Sequence, residues 1–166
     1  TLAVTQSVQG DRLAILTNGG GMGVMATDTL IDKKGRLAPL TGETLARLDA
    51  VLPSTWSHGN PVDIIGDATG ERYAAALEIL LEDPDTDAIL VINVPTAVTS
   101  SAEAAQAVID LYKRKSRTVS KPRNLLTAWI GEGPAAGSRK LFTDNGIPTY
   151  QTPEEAVRAF MQMRSE

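Results

Sequence analysis

The chain has 166 residues, 42% of them apolar and 22% charged, with a formal net charge of −4. That length suits one domain with a sizeable core, and the mild acidity argues against nucleic acid or an anionic membrane as a main partner. There is no cysteine, which excludes disulfides and thiolate chemistry.

No apolar run approaches a membrane span and no signal peptide precedes the first strand, so a cytoplasmic protein is expected. Thr1 stands where a start methionine would be, so residues 1–166 are read as an excised piece or a processed chain. The first predicted element is a strand over Arg12–Thr17, with Leu13 to Leu16 as a buried apolar run. Asn18, Gly19, Gly20, Gly21 and Gly23 follow as a glycine turn, and a helix is predicted over about Met22–Asp32. Glycine takes backbone angles that other residues adopt only at a cost. The first N–H groups of a helix lack internal partners, and the dipole is positive there. Such a turn is a ready anion site, phosphate above all. Two other readings stay open. No Gly-Lys-Ser/Thr follows, so this is not a P-loop, but Gly21-x-Gly23-x-x-Ala26 fits the relaxed dinucleotide fingerprint. The glycines are also consistent with nothing more than tight strand–helix packing.

Lys33-Lys34-Gly35-Arg36 ends that helix, and Leu37–Pro39 has room only for a short second strand. Thr41-x-x-Thr44 opens a helix with Leu45, Leu48 and Leu52 on its apolar side. Pro53 to Gly70 reads as a long irregular connection. Long ordered loops in compact domains are often functional. This one holds His58, Asn60, Asp63 and Asp67, a candidate interface or site loop, and its apolar Val62, Ile64 and Ile65 must pack against something. Asp63 and Asp67 have the chemistry to hold a metal, cap the next helix or face solvent; no metal site is assigned. His58, the single histidine, has a near-neutral pKa suited to acid–base work, but no partner visible in the sequence.

A helix is predicted over Glu71–Glu82, and the strongest strand over Ala88–Val94, apolar nearly throughout as a strand covered on both faces must be. The loop Pro95–Ser100 and a helix Ser101–Lys115 follow. Lys113–Arg123 carries six basic residues and reads as a solvated helix end and loop. Then come a strand at Asn124–Ile130, a helix at Pro134–Asn145, a strand at Ile147–Tyr150 and a helix at Pro153–Arg164. About five strands alternating with helices predict an α/β fold, a doubly wound parallel sheet in three α/β/α layers. The flavodoxin-like order 2-1-3-4-5 fits, with ligands beyond the C-terminal strand ends.

Two stretches together carry a family resemblance. They are Leu16-Thr17-Asn18-Gly19-Gly20-Gly21-Met22-Gly23-Val24-Met25-Ala26-Thr27-Asp28 and Gly59-Asn60-Pro61-Val62-Asp63-Ile64-Ile65-Gly66-Asp67-Ala68. Arg72–Leu77, Asp87–Pro95, Asn145–Pro148 and Thr152–Ala159 add to them. From about Asp11 onward the chain resembles the nucleoside-diphosphate-forming acyl-CoA synthetases, in their second succinyl-CoA-synthetase-like, flavodoxin-type domain.

That resemblance implies a role in acyl-CoA + NDP + phosphate ⇌ carboxylate + CoA + NTP, through an acyl phosphate and a phosphorylated histidine. It implies sister flavodoxin-like, CoA-binding and ATP-grasp domains or subunits as partners. CoA, ATP or ADP, and Mg are expected in the full-length enzyme, with no cofactor in this domain. The resemblance makes Asn18, Gly19, Gly20, Gly21 and Gly23 the cradle for the phosphate. The phosphorylated histidine belongs to the sister domain, and His58 lies outside its motif, so no catalytic residue is assigned here. Some family members are fused instead to a protein-lysine acetyltransferase. In them this domain would be a non-catalytic regulatory or scaffold module, the alternative reading.

Overall fold

A computed structural model describes residues 10–118 and 123–164. Lys121 of the basic run lies outside the described residues. Strands and helices alternate: β1 (Arg12–Thr17), α1 (Gly20–Asp32), β2 (Arg36–Leu37), α2 (Gly42–Val51), β3 (Val62–Asp63), α3 (Gly70–Leu81). They continue as β4 (Ala88–Asn93), α4 (Ser101–Ser116), β5 (Asn124–Trp129), α5 (Pro134–Asp144), β6 (Thr149–Tyr150) and α6 (Pro153–Arg164).

All pairings are parallel, in the order β2-β1-β4-β5-β6, with β3 also on β1. The fold is the expected α/β one, flavodoxin-like, with one strand more than the sequence implied. The extra strand β3 lies inside the stretch read as irregular. Both β2 and β3 line the same edge of β1: Arg12 and Leu13 pair with β2, Leu16 and Thr17 with β3. The Asn60 side chain fills the gap between them. Its Oδ1 accepts from Ile15 N–H at 3.0 Å, and its Nδ2 donates to the carbonyls of Leu13 (3.0 Å) and Ala38 (3.1 Å). One amide side chain thus stands in for a missing peptide of the ladder, so the buried polar groups there are paired.

The central strands are buried from Leu13 to Thr17 in β1 and along all of β4, as apolar runs of strand length require. Their side chains alternate between two cores. Leu13, Ile15, Leu90 and Ile92 face α1 and α6, meeting Ala26, Leu30, Val157 and Phe160. Ala14, Leu16, Ile89 and Val91 face the other helices, meeting Leu48, Tyr73, Leu77, Val108 and Phe142. Helix starts follow the sequence signals. Thr41, Thr69 and Ser100 accept from Thr44, Arg72 and Glu103 N–H groups.

At the N-terminal end of the sheet, Arg12 grips Asp87 with Nε (2.9 Å) and Nη2 (3.0 Å). Beside it the buried Asp83 carboxylate collects Thr44 Oγ1 (2.5 Å), Thr86 Oγ1 (2.7 Å), Thr41 N–H (3.2 Å) and Asp85 N–H (3.2 Å). Burial pushes the Asp83 pKa up, but these donors outweigh it and hold the carboxyl below its usual range. A depressed carboxyl stabilises the fold above the unfolded value near pH 4, and the effect is lost as pH falls through the folded value. The Asp83→Asn variant is therefore expected to lose about 2 kcal/mol at pH 7. The gap to wild type should shrink below about pH 4. Urea unfolding at both pH values checks this, and a gap independent of pH would contradict it.

Candidate functional site

The glycine turn sits at the C-terminal end of β1, between the β4–α4 loop and the segment around β3. Thr17 Oγ1 accepts from Gly19 N–H at 3.0 Å, which stops the strand. The helix begins at Gly20, two residues before the sequence expectation. None of Gly19, Gly20, Gly21 and Gly23 has a positive φ. Space, not backbone angle, selects Gly19, Gly20 and Gly23. A Cβ on Gly19 would lie 2.8 Å from Val94 Cγ2, and one on Gly23 would lie 3.2 Å from Thr17 Cγ2 and 3.3 Å from Pro61. Gly20 is tight only against Asp63 Oδ2 at 3.1 Å, and Gly21 meets nothing within 4 Å. Gly19→Ala is therefore expected to destabilise the domain, by about 1–3 kcal/mol for an overpacked contact. Gly21→Ala should be neutral or stabilising by up to about 1 kcal/mol. Equal melting temperatures for the two would contradict this.

Asn18 is of a residue type favoured at helix N-caps, but it does not cap α1. Its Oδ1 accepts from Val94 N–H at 2.8 Å and its Nδ2 donates to Val94 C=O at 3.0 Å. This buried side chain clamps the ends of β1 and β4 together, and α1 has no side-chain cap. The first intrahelical bond runs from Gly23 N–H to Gly19 C=O at 3.2 Å. The N–H groups of Gly20, Gly21 and Met22 precede it, where an α-helix leaves its donors without intrahelical partners. Gly20 and Gly21 are exposed. The mouth is open and carries the positive end of the α1 dipole, with the Asp63 carboxylate beside Gly20.

Below the turn lies a buried polar post. Tyr73 Oη donates to Ile92 C=O at 2.8 Å and accepts from Asn93 Nδ2 at 3.2 Å. Burial pushes the phenol pKa far up, so Tyr73 stays neutral. Asn93 Oδ1 has no partner among the described residues. Sequence reasoning missed both, because Tyr73 reads as an ordinary apolar-face residue of its helix.

Asp63 is brought to the turn. Its Oδ1 accepts from Ile65 N–H at 3.0 Å, while Oδ2 faces the place a Gly20 side chain would take. Ile65 has φ +77, an uncommon and strained conformation for a β-branched residue. Gly66 passes beside the Asn18 carbonyl, 3.9 Å from where its own Cβ would be. Asp67 turns to Arg72 instead, with Nη1 at 2.6 Å, and that hydrogen bond lowers its pKa. His58 belongs to the end of α2. Its Nδ1 is 3.1 Å from Asp49 Oδ1, its Nε2 2.8 Å from Ser54 C=O, and its ring packs 4.8 Å from that of Trp56. Of the loop residues, then, Asp63 reaches the turn, Asn60 builds the sheet beneath it, and His58 and Asp67 are engaged elsewhere. Among the described residues no group of three or more His, Cys, Asp or Glu is placed to hold a metal ion. No helix among them is long and apolar enough to cross a membrane.

Comparison with known proteins agrees with this architecture. Residues 13–164 match the family model described as the Ligase-CoA domain. The chain is 37% identical over 147 residues to the ADP-forming acetate–CoA ligase I of Archaeoglobus fulgidus, covering 89% of this chain and 20% of that protein. It is 37% identical over 161 residues to subunit alpha of the ADP-forming acetate–CoA ligase II of Pyrococcus furiosus, covering 95% and 34%. A Pyrococcus horikoshii protein superposes with a TM-score of 0.86 at 34% identity, over 97% of this chain and 37% of that one. Acetyl-coenzyme A synthetase 1 of Candidatus Korarchaeum cryptofilum, in complex with phosphate and ADP, superposes with a TM-score of 0.84 at 29% identity, over 98% and 35%. The chain thus spans between a fifth and about a third of the length of the curated relatives named here. It belongs to the Ligase-CoA domain family of the NDP-forming acyl-CoA synthetases.

Proposed function

We propose that this domain serves an NDP-forming acyl-CoA synthetase by presenting the N-terminus of α1 to the phosphate of a phosphohistidine carried by a sister flavodoxin-like domain. One observation carries the reading: an uncapped helix start whose first residues, Gly20 and Gly21, are exposed and free of side chains. Backbone N–H groups and the helix dipole bind anions at such an end. In the assembled enzyme, CoA, ATP or ADP, and Mg would bind to other domains and supply the acyl transfer and nucleotide chemistry.

This chain's own part is positional. The Asn18 clamp on Val94 and the Thr17 contact to Gly19 fix the direction of α1. The N–H groups of Gly20, Gly21 and Met22 would stabilise charge on the phosphoryl oxygens as the N–P bond forms or breaks. Preorganised donors aimed at developing charge lower such barriers without reorganisation. The Asp63 carboxylate beside Gly20 puts a like charge near the same end, so free phosphate should bind weakly. A phosphate delivered on a partner's imidazole needs no tight binding here, because the domain interface holds it in place.

The test is complementation. The 166-residue chain alone should show no CoA- and ATP-dependent activation of an acid. A synthetase from which this domain has been deleted should be inactive and recover turnover when the chain is added. Turnover by the chain alone would refute the reading, as would a deleted enzyme that works without it.

A further inference from the structure

The outer face of α1 is unlike that of a solvated helix. Five large apolar side chains are exposed among the described residues, and three lie on this helix: Val24 at 60%, Met25 at 42% and Ile31 at 56%. The inward face is Gly23, Ala26 and Leu30. At helical spacing Val24, Asp28 and Ile31 lie in one line, with Gly20 and Gly21 at its upper end and Met25 and Asp32 along its flank. An exposed helix face normally carries polar groups. Here Asp28 sits alone between two bare aliphatic side chains, exposed and without an ion-pair partner among the described residues. Lys33 and Lys34 come only after the helix has ended.

We infer that this stripe is the docking surface for another domain of the same ligase, one presenting a lysine or arginine between aliphatic side chains. The inference rests on the proposed reading, since a phosphate brought to Gly20 and Gly21 must arrive on a domain that lies against this end of α1. Charge decides between occupants. A second copy laid antiparallel on the same stripe would bring Asp28 against its own counterpart, and like charges juxtaposed in an interface oppose association. A basic partner satisfies Asp28 while Val24 and Ile31 lose their water. Apolar contacts around one desolvated charge pair give affinity and fix the register.

The absence of cysteine makes the stripe addressable. Val24→Cys and Ile31→Cys, with Ala46→Cys on α2 as control, are labelled with a maleimide in the chain alone and in the assembled ligase, and read on this chain by mass spectrometry. The expected result is that both stripe positions react in the free chain and are blocked in the assembly, while the control reacts in both. Adding Asp28→Lys should restore labelling of the stripe. Labelling of the stripe in the assembly at the free-chain rate would overturn the inference. So would protection that survives Asp28→Lys, or protection that appears in the free chain as its concentration rises. Phosphohistidine formation measured on the same samples separates this outcome from the phosphate reading, because the stripe can be buried whether or not the helix end holds the phosphate.

Discussion

Replacing Asn60 by alanine is expected to cost the domain about 3–5 kcal/mol. The amide makes three bonds to the backbone; without it Ile15 N–H loses its acceptor and the Ala38 carbonyl loses this donor, while the Leu13 carbonyl keeps the Ala38 N–H at 2.9 Å. Ile15 lies at the centre of the sheet with no exposed surface, so no water replaces the lost acceptor. A typical domain has only about 5–15 kcal/mol in total, so the variant should be partly unfolded at moderate urea. Asn60→Asp is a sharper test, because it keeps the shape. It exchanges the Nδ2 donor for an oxygen about 3.0 Å from the Leu13 carbonyl and 3.1 Å from that of Ala38. Facing oxygens repel, so at pH 7 this variant should be no more stable than Asn60→Ala. Acidification returns a proton to the carboxyl and one donor with it, so the deficit relative to wild type should narrow as pH falls. Urea midpoints across pH read this out. An Asn60→Asp variant as stable as wild type at pH 7 would show that the side chain is not a rung of the sheet.

Gly21→Val should do the opposite, leaving the fold intact and removing function. A Cβ at this position meets no atom within 4 Å, and the backbone φ is not positive. Valine is no worse than glycine in a helix, so the melting temperature should hold or rise slightly. Its methyl groups would cover the N–H donors of the first turn. In other enzymes, losing one preorganised donor lowers kcat by about 100- to 1000-fold, and a comparable fall in synthetase turnover is expected here. The effect should appear in kcat with little change in the KM for CoA, which the proposed assignment places on another domain. Wild-type turnover in a folded, assembled Gly21→Val enzyme would argue against α1 as the phosphate cradle.

The elements that were legible in the sequence are those that carry their own periodicity or punctuation. β1, β4 and β5 announced themselves as apolar runs bounded by turn residues, because a strand covered on both faces has no need to alternate. Thr41 and Pro153 marked helix starts by local chemistry. What could not be read depended on partners far away in the chain. β3 has two residues and exists because β1 offers an open edge at Leu16 and Thr17. The role of Asn60 needs backbone groups 22 and 47 residues away, while Asn-Pro reads locally as a turn. Asn18 has the right residue type for a cap, and the structure spends it on Val94, 76 residues on. The glycines were located with several readings open, and close packing accounts for three of the four, where Val94, Asp63, Thr17 and Pro61 crowd the place of a Cβ, while none of the four has a positive φ. The family resemblance supplied what geometry alone does not, namely that the anion at this helix start would be a phosphohistidine.

The most direct test of that claim is a single turnover. The assembled ligase carrying Gly20→Val and Gly21→Val would be mixed with acyl-CoA and labelled phosphate, and the phosphohistidine formed would be measured against wild type. The account predicts that little or no phosphohistidine accumulates although the variant remains folded and assembled. Phosphohistidine appearing at the wild-type rate and amount would contradict it, and would place the phosphate cradle outside the glycine turn.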